Sequence, residues 1–384
     1  MVKTRSQPKL LFLVTEDWYF CSHRLPAARA ARDAGFAVAV ATRVRDHGEA
    51  IRAEDFALHP LRWKRRGDGI FGHLRALVEI VSLYRREQPD IVYHVALKPV
   101  LFGGMAARLA FFRRLATVSA VMGLGIEFTA GGTGWKQRAL GWALRFATGT
   151  GCIIVQNPEN RDALVGFGID PARIALIPGS GVDTEHFAAL PDPLSPRIAV
   201  ALVGRMLRSK GVLDAVAAIR KLRAEGLAVE LILAGAADPD SRDSLSDDEL
   251  AALAREPGIE WLGHVGDVRA VWVRAAIALL PSSYGEGVPK ALLEAASCAR
   301  PIVASDMPGC REIVVPGETG LLVPARDVAA LAEAIATLAA DAALRRQMGE
   351  AGRQRVIGKF GEAMVAQQTV ALLRSMINEG GGAE

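Results

Sequence analysis

AIALLPSSYGEGVPKALLEAASCARPIVAS runs from Ala276 to Ser305. It opens on an apolar run, turns a Gly-Val-Pro corner, continues as ALLEAASC and ends in a second apolar run, PIVAS. The pattern reads as strand, turn, buried helix and strand. Two carboxylates frame the turn, Glu286 before it and Glu294 inside the apolar helix. Pro289 suits the first helical turn, where its missing N–H would be unpaired anyway. Gly287 lets the backbone approach a ligand closely. Lys290 in the first turn opposes the helix dipole unless an anion lies there. Glu294 stands roughly 7.5 Å of helix rise beyond Pro289, too far for the two acids to share a proton. They suit separate contacts along an elongated ligand. A solvated Glu286 with a capping Glu294 is the plainer alternative, although burying an unpaired acid among apolar residues is costly.

The same alternation extends both ways. Strand-like runs KLLFLV, FAVAVAT, DIVYHV, TVSAVM and CIIVQN precede it, then RIAVALVGR, VELILAG and IEWLGHV, with helix-length amphipathic segments between them. Nearly continuous apolar runs are the mark of strands buried on both faces. The fold class expected is α/β with parallel sheets. At 384 residues the chain suits two domains. LPDPLSPR, Leu190–Arg197, carries three prolines in eight residues and reads as the seam. Residues 1–190 and 191–384 are the expected halves, the last helix packing back on the first.

Four widely spaced cysteines, with no C-x-x-C pair, argue for a reducing compartment without disulfides or a zinc site. LLFLV near the N-terminus is short for a signal peptide, and no run has the length of a membrane span. Residues 1–190 hold 25 Lys+Arg against 17 Asp+Glu, and residues 191–384 hold 21 against 25. The basic half interleaves cations with bulky apolar residues in Trp63–Arg75 and Phe111–Ala116, a composition that suits an anionic membrane surface or a solvated helix face. No nucleic-acid module accompanies the charge.

Ligands of parallel sheets bind beyond the carboxyl ends of strands. In LVGRMLRSKG, Arg205 and Lys210 place two cations at such an end, suited to a diphosphate or to a basic surface loop. ASDMPGCREIV offers another end, with Glu312 as a site acid or a helix-terminal one. Asp238-Pro239-Asp240 has metal-ligand spacing but lies in a polar acidic loop, and no metal is expected.

GR…KG, EGVPKALLEA and PIVASDMPGCREIV in this order resemble the donor-binding half of the family 4 retaining glycosyltransferases. DWYFCSHRLPAARA, DIVYHVALKPVLFGG, SAVMGLGIEFT, VQNPENRD and IPGSGVDTEHF extend the likeness to that family's bacterial polysaccharide branch, over nearly the whole chain. The resemblance implies the GT-B fold, two Rossmann-like domains whose parallel sheets face an interdomain cleft. It implies that Arg205 and Lys210 bind the nucleotide diphosphate and that Glu294 accepts from the ribose hydroxyls. Glu286 would contact the donor sugar, aided by the backbone of Gly287, Val288 and Pro289. On the acceptor side it points to His23 and His94, either of which could orient or deprotonate a hydroxyl, and to Lys98, Gly123 and Gly125. A lone histidine is as well explained by a structural hydrogen bond.

The implied reaction moves a hexose or N-acetylhexosamine from a UDP-sugar to a saccharide carried on undecaprenyl diphosphate. It needs no cofactor beyond the donor, and its place is the inner face of the cytoplasmic membrane, peripherally bound. The alternatives are a soluble nucleotide-sugar-dependent transferase, an epimerase of the same fold, or a non-catalytic nucleotide-sugar binder. Strand one is followed by TEDWYFCSHR, without G-x-G-x-x-G, which argues against a dinucleotide dehydrogenase.

Overall fold

The computed structural model describes residues 7–63, 69–111, 115–123, 134–193 and 195–381. The chain forms two compact units, Met1–Ser180 with Glu362–Glu384, and Gly181–Gly361.

The first unit runs β1 (Lys9–Glu16), α1 (Asp17–His23), α2 (Leu25–Asp33), β2 (Ala37–Arg43), α3 (Gly48–Arg52), β3 (Ala57–Pro60), α4 (Gly69–Glu87) and β4 (Ile91–Val95). It continues through α5 (Leu97–Ala110), β5 (Ala116–Val121), α6 (Trp135–Thr148), β6 (Cys152–Val155), α7 (Pro158–Gly166) and β7 (Ile174–Leu176). The seven strands pair in parallel in the order β3-β2-β1-β4-β5-β6-β7. Alternate residues of one strand feed two cores, as the period of two demands. Leu10, Phe12 and Val14 pack with Ala28 and Ala31 of α2. Leu11 and Leu13 pack on the other face with Ala76 and Ile80 of α4.

The second unit runs β8 (Ile198–Val203), α8 (Val212–Ala224), β9 (Val229–Ala234), α9 (Asp247–Leu253), β10 (Ile259–Trp261), α10 (Arg269–Arg274) and β11 (Ile277–Leu280). Then come α11 (Lys290–Ser297), β12 (Ile302–Ser305), α12 (Cys310–Ile313), β13 (Gly320–Val323), α13 (Val328–Ala340) and α14 (Ala342–Lys359). Its parallel order is β10-β9-β8-β11-β12-β13. α15 (Glu362–Gly381) closes the chain within the first unit. There Val365 and Leu373 join the α2-side core, and Arg374 Nη2 donates to Ala34 O at 3.0 Å.

The apolar runs of the sequence are the central strands of these two sheets. β3, β7 and β13, three or four residues each, add to these strands and sit at sheet edges. The IEWLGHV strand stops at Trp261, also at an edge. Short edge strands bury little and carry little pattern. The chain passes into the second unit at Gly181, upstream of the proline-rich stretch. Val182 pairs with Gly361, and Ser297 Oγ donates to Phe187 O at 2.7 Å. Arg300 Nη2 reaches Pro191 O at 2.7 Å. These contacts span more than a hundred residues, which is why local composition does not mark the crossing.

Candidate active site

The carboxyl ends of β8, β11 and β12, adjacent or next but one in the six-stranded sheet, carry three loops that lean on one another. Gly211, at φ +76°, caps α8 where an added Cβ would fall 2.1 Å from Pro281 O. Ser283 N–H donates to Ser209 O at 2.7 Å. The Arg205–Gly211 loop is thereby fixed against the end of β11. Gly309, at φ +85°, stands where a Cβ would lie 1.6 Å from Gly287 O. Only glycine allows the loop after β12 to support the loop before α11.

This packing brings Lys210 Nζ to 3.1 Å from Glu286 Oε1 and 3.3 Å from Oε2, with both side chains largely shielded. Arg205 Nη1 pairs with Asp238 Oδ2 at 2.5 Å. Tyr284 lies half-buried beside them. Burial first, and then the Glu286 charge, raise its phenol, while Arg205 opposes the shift. The thiol of Cys310 is raised by burial and by Glu286, with Lys210 opposing. Arg205, Lys210, Glu286, Tyr284 and Cys310 thus share one electrostatic neighbourhood.

Glu294 lies on α11 among Leu292, Leu293 and Ala295, and is 9% exposed. Burial pushes its carboxyl up to about 7, and Lys290, Nζ 4.0 Å from Oε1, pulls the other way. A buried acid with so distant a counter-charge is poised to accept hydrogen bonds from hydroxyl donors. Pro289 is the residue before the helix, not within its first turn, and Lys290 begins it. Val288 is buried in the core beneath.

The Asp-x-Asp has a structural use. Asp238 takes Arg205 and accepts from Asp240 N–H at 3.2 Å. Among the described residues no cluster of three or more His, Cys, Asp or Glu could hold a metal ion. Glu312 pairs with Lys359 at 3.2 Å, and no bond ties it to the loops around Lys210.

The residues proposed for the acceptor are not brought together in the same way. His23 ends α1, its Nδ1 2.6 Å from Ser22 Oγ and its ring stacked on Tyr19 at 4.2 Å. Lys98 lies over the rings of Trp63 and Phe102, at 5.5 and 5.9 Å. Gly123 follows β5, and Gly125 lies outside the described residues. His94 requires a correction. It is fully buried in β4, its Nε2 2.9 Å from Tyr84 Oη, and burial depresses it to about 3. A Cβ on Gly103 would fall 2.4 Å from its ring. So enclosed and so weakly basic, it is a neutral core residue and not an acceptor base.

Sequence reasoning passed over Tyr284, Gly309 and Arg24. The guanidinium of Arg24 is buried at the ends of β4 and β5, its Nη2 2.8 Å from Met122 Sδ, with Tyr93 Oη 3.5 Å from Nη1. The legible signals were Tyr beside Gly-Glu-Gly, Pro-Gly after a strand, and His-Arg before a helix-starting proline.

Known proteins resemble this chain in sequence and in fold. Residues 197–341 match the family model described as glycosyl transferases group 1, and residues 9–157 the one described as glycosyl transferase 4-like. The capsular polysaccharide biosynthesis glycosyltransferase CapM of Staphylococcus aureus is 23% identical over 359 residues, covering 88% of this chain and 90% of CapM. The alpha-maltose-1-phosphate synthase of Mycobacterium tuberculosis (strain ATCC 25618 / H37Rv) is 34% identical over 277 residues, covering 63% of this chain and 70% of the synthase. The crystal structure of Anabaena HepE in complex with UDP-glucose superposes with a TM-score of 0.76 at 18% identity, covering 96% of this chain and 99% of HepE.

Proposed function

The chain belongs to the GT-B glycosyltransferases of the group 1, family 4-like kind, and from that premise we propose that it transfers a hexose or N-acetylhexosamine from a UDP-sugar, with retention, to a saccharide on a lipid diphosphate. The supporting observation is the Lys210–Glu286 pair at 3.1 Å, flanked by Arg205 and by the buried acid Glu294.

In this reading the donor's diphosphate takes the place of the carboxylates that now neutralise Lys210 and Arg205. Glu294 accepts from the ribose hydroxyls, and Glu286, released from Lys210, accepts from the sugar. The bond from the anomeric carbon to the phosphate oxygen breaks, and the electron pair leaves with the nucleoside diphosphate. Lys210 and Arg205 stabilise that departing charge. The acceptor oxygen bonds to the anomeric carbon on the face the phosphate left, and its hydroxyl proton passes to the departing phosphate oxygen. His23 is the remaining candidate to orient that hydroxyl, with Lys98, Gly123 and Gly125 on the acceptor side. Cations and backbone amides do this work without a metal. CapM, a capsular polysaccharide enzyme by name, and HepE, with UDP-glucose bound, support the acceptor class and the donor.

The reading places the protein at the inner face of the cytoplasmic membrane, peripherally held. Among the described residues no helix is long and apolar enough to cross a membrane. The likeness to alpha-maltose-1-phosphate synthase favours a second reading, transfer to a soluble sugar phosphate. Incubation of UDP- and GDP-sugars with a lipid-diphosphate saccharide, with a sugar phosphate and with no acceptor, all in EDTA, separates these. UDP release only with the lipid saccharide, and a product of unchanged anomeric configuration, is expected. Release only with the sugar phosphate selects the second reading, and donor conversion without acceptor overturns both.

A further inference from the structure

α4, α5 and α6 lie side by side on one face of the seven-stranded sheet, α4 packed on α5 and α5 on α6. Their inner sides are ordinary core, but their outer sides are not ordinary surface. On α4, Ile70, Phe71, Leu74 and Val78 are exposed at the spacing of one helix face, Phe71 by 88%. On α6, Trp135 is 76% and Trp142 68% exposed, with Phe146 one turn further along. Arg138 and Arg145 share that face. Trp142 stacks on Phe146 at 5.7 Å, and the guanidinium of Arg108, from α5, lies 4.5 Å over the Phe146 ring. Leu109 is exposed beside it. Among the described residues, eight of the thirteen exposed large hydrophobic side chains stand on these three helices. The other five are scattered singly, which is normal for any surface. A cluster is not.

The charge around the cluster has one sign. The three helices contain two carboxylates, Glu79 and Glu87. Glu87 is held by Lys9 at 2.5 Å, and Glu79 accepts from Arg62 N–H at 3.2 Å. Arg75, Arg108, Arg138 and Arg145 stand exposed. A second copy seated on this face by two-fold symmetry would set these arginines against one another with no free acid of the described residues of these helices between them. Tryptophan and arginine beside aliphatic residues suit the headgroup boundary of a bilayer, which takes the rings and supplies phosphate to the cations.

We infer that the outer face of the α4–α5–α6 layer docks on an anionic lipid surface, with Phe71, Trp135 and Trp142 at the headgroup boundary and Arg138 and Arg145 on lipid phosphates. The inference deepens the membrane part of the proposed function and rests on it only for the biological reason to be there.

The test is sedimentation of the full chain with phosphatidylglycerol vesicles and with phosphatidylcholine vesicles, alongside calorimetric UDP binding and analytical ultracentrifugation. The wild type is expected to pellet with the anionic vesicles at low salt and to be released at high salt. Arg138→Gln with Arg145→Gln should weaken vesicle affinity about 25-fold, about five-fold for each arginine. Trp135→Ser with Trp142→Ser should abolish pelleting. Both pairs should bind UDP as the wild type does, and Val273→Ser, an isolated exposed apolar residue of the other unit, should change nothing. If the Trp pair lost UDP binding, the Arg pair alone would decide. Wild-type pelleting that survives the Arg pair overturns this surface and leaves the membrane reading standing. A wild type that stays in the supernatant overturns both, while the transferase reading is judged by UDP release alone. Dimers that dissociate in the Trp pair, without vesicle binding, would make this face a contact between copies and overturn the inference.

Discussion

Lys210 Nζ and Glu286 Oε1 lie 3.1 Å apart although 76 residues separate them in sequence, and neither side chain is more than 14% exposed. Each charge answers the other. Removing Lys210 takes the cation away from a shielded carboxylate, a loss of about 3 kcal/mol where burial is this strong. Lys210→Ala should therefore lower Tm, and Lys210→Ala with Glu286→Ala should recover much of it. Turnover should fall by about 10²–10³ in both, because leaving-group stabilisation acts mainly in the transition state. Donor KM should move much less. Thermal melts with steady-state kinetics on the wild type and the two variants check this, and wild-type turnover in Lys210→Ala would remove the assignment.

In the proposed reading, the raised carboxyl of Glu294 would make nucleotide binding respond to pH. Its folded value of about 7 stands above the ordinary 4.5, so between those values the native state holds a proton that the unfolded chain has released. Its contribution to stability is complete below pH 4.5 and is lost as pH rises through 7, a swing of up to about 3 kcal/mol. Glu294→Gln should thus gain more in Tm at pH 8 than at pH 5. The same ionisation makes the carboxylate a better acceptor for ribose hydroxyls. UDP affinity of the wild type should rise roughly ten-fold more between pH 5.5 and 7.5 than that of Glu294→Gln. Calorimetry at several pH values decides, and parallel slopes would show that Glu294 does not touch the nucleotide.

Much of this was legible where chemistry and local pattern coincide. An acid inside ALLEAASC stands out because its neighbours are core residues, and Glu294 is indeed buried among them. Cations after RIAVALVG stand out because a strand ends there. What pairs with what was not legible. Arg205 finds Asp238, a residue whose Asp-x-Asp spacing suggests a metal, because the loop after β9 folds over the end of β8. His23 and His94 look alike as single histidines in matching segments. The face of β4 that His94 occupies is sealed by α4 and α5, and only the tertiary packing reveals that.

Gly309 gives a test of the scaffold apart from the charges. Alanine there would meet Gly287 O and would have to hold φ +85°. The backbone strain alone is about 1–2 kcal/mol, and the overlap adds a displacement of the Glu286–Pro289 loop. Gly309→Ala should lower Tm and weaken UDP binding together. Gly266→Ala, where a Cβ meets nothing within 4 Å, should do neither. Unchanged UDP affinity in Gly309→Ala would mean that the loop it supports does not contact the donor.

His94 separates a structural histidine from a catalytic one. Burial holds it near 3 in the folded chain against 6.5 ordinarily, so the unfolded chain binds the extra proton between those values. The stability it lends is full above pH 6.5 and is lost as pH falls towards 3, amounting to about 3 kcal/mol between pH 7 and 4. His94→Gln removes that titration and keeps an amide within reach of Tyr84 Oη. The variant should be less stable than the wild type at pH 7, since the fit against Gly103 is lost, yet its stability should decline less on acidification. Its pH–rate profile should keep the wild-type shape. Urea melts from pH 4 to 7 with parallel kinetics measure both. An acidic limb that vanished in His94→Gln and persisted in His23→Gln would return the acceptor-side role to His94 and contradict its placement in the core.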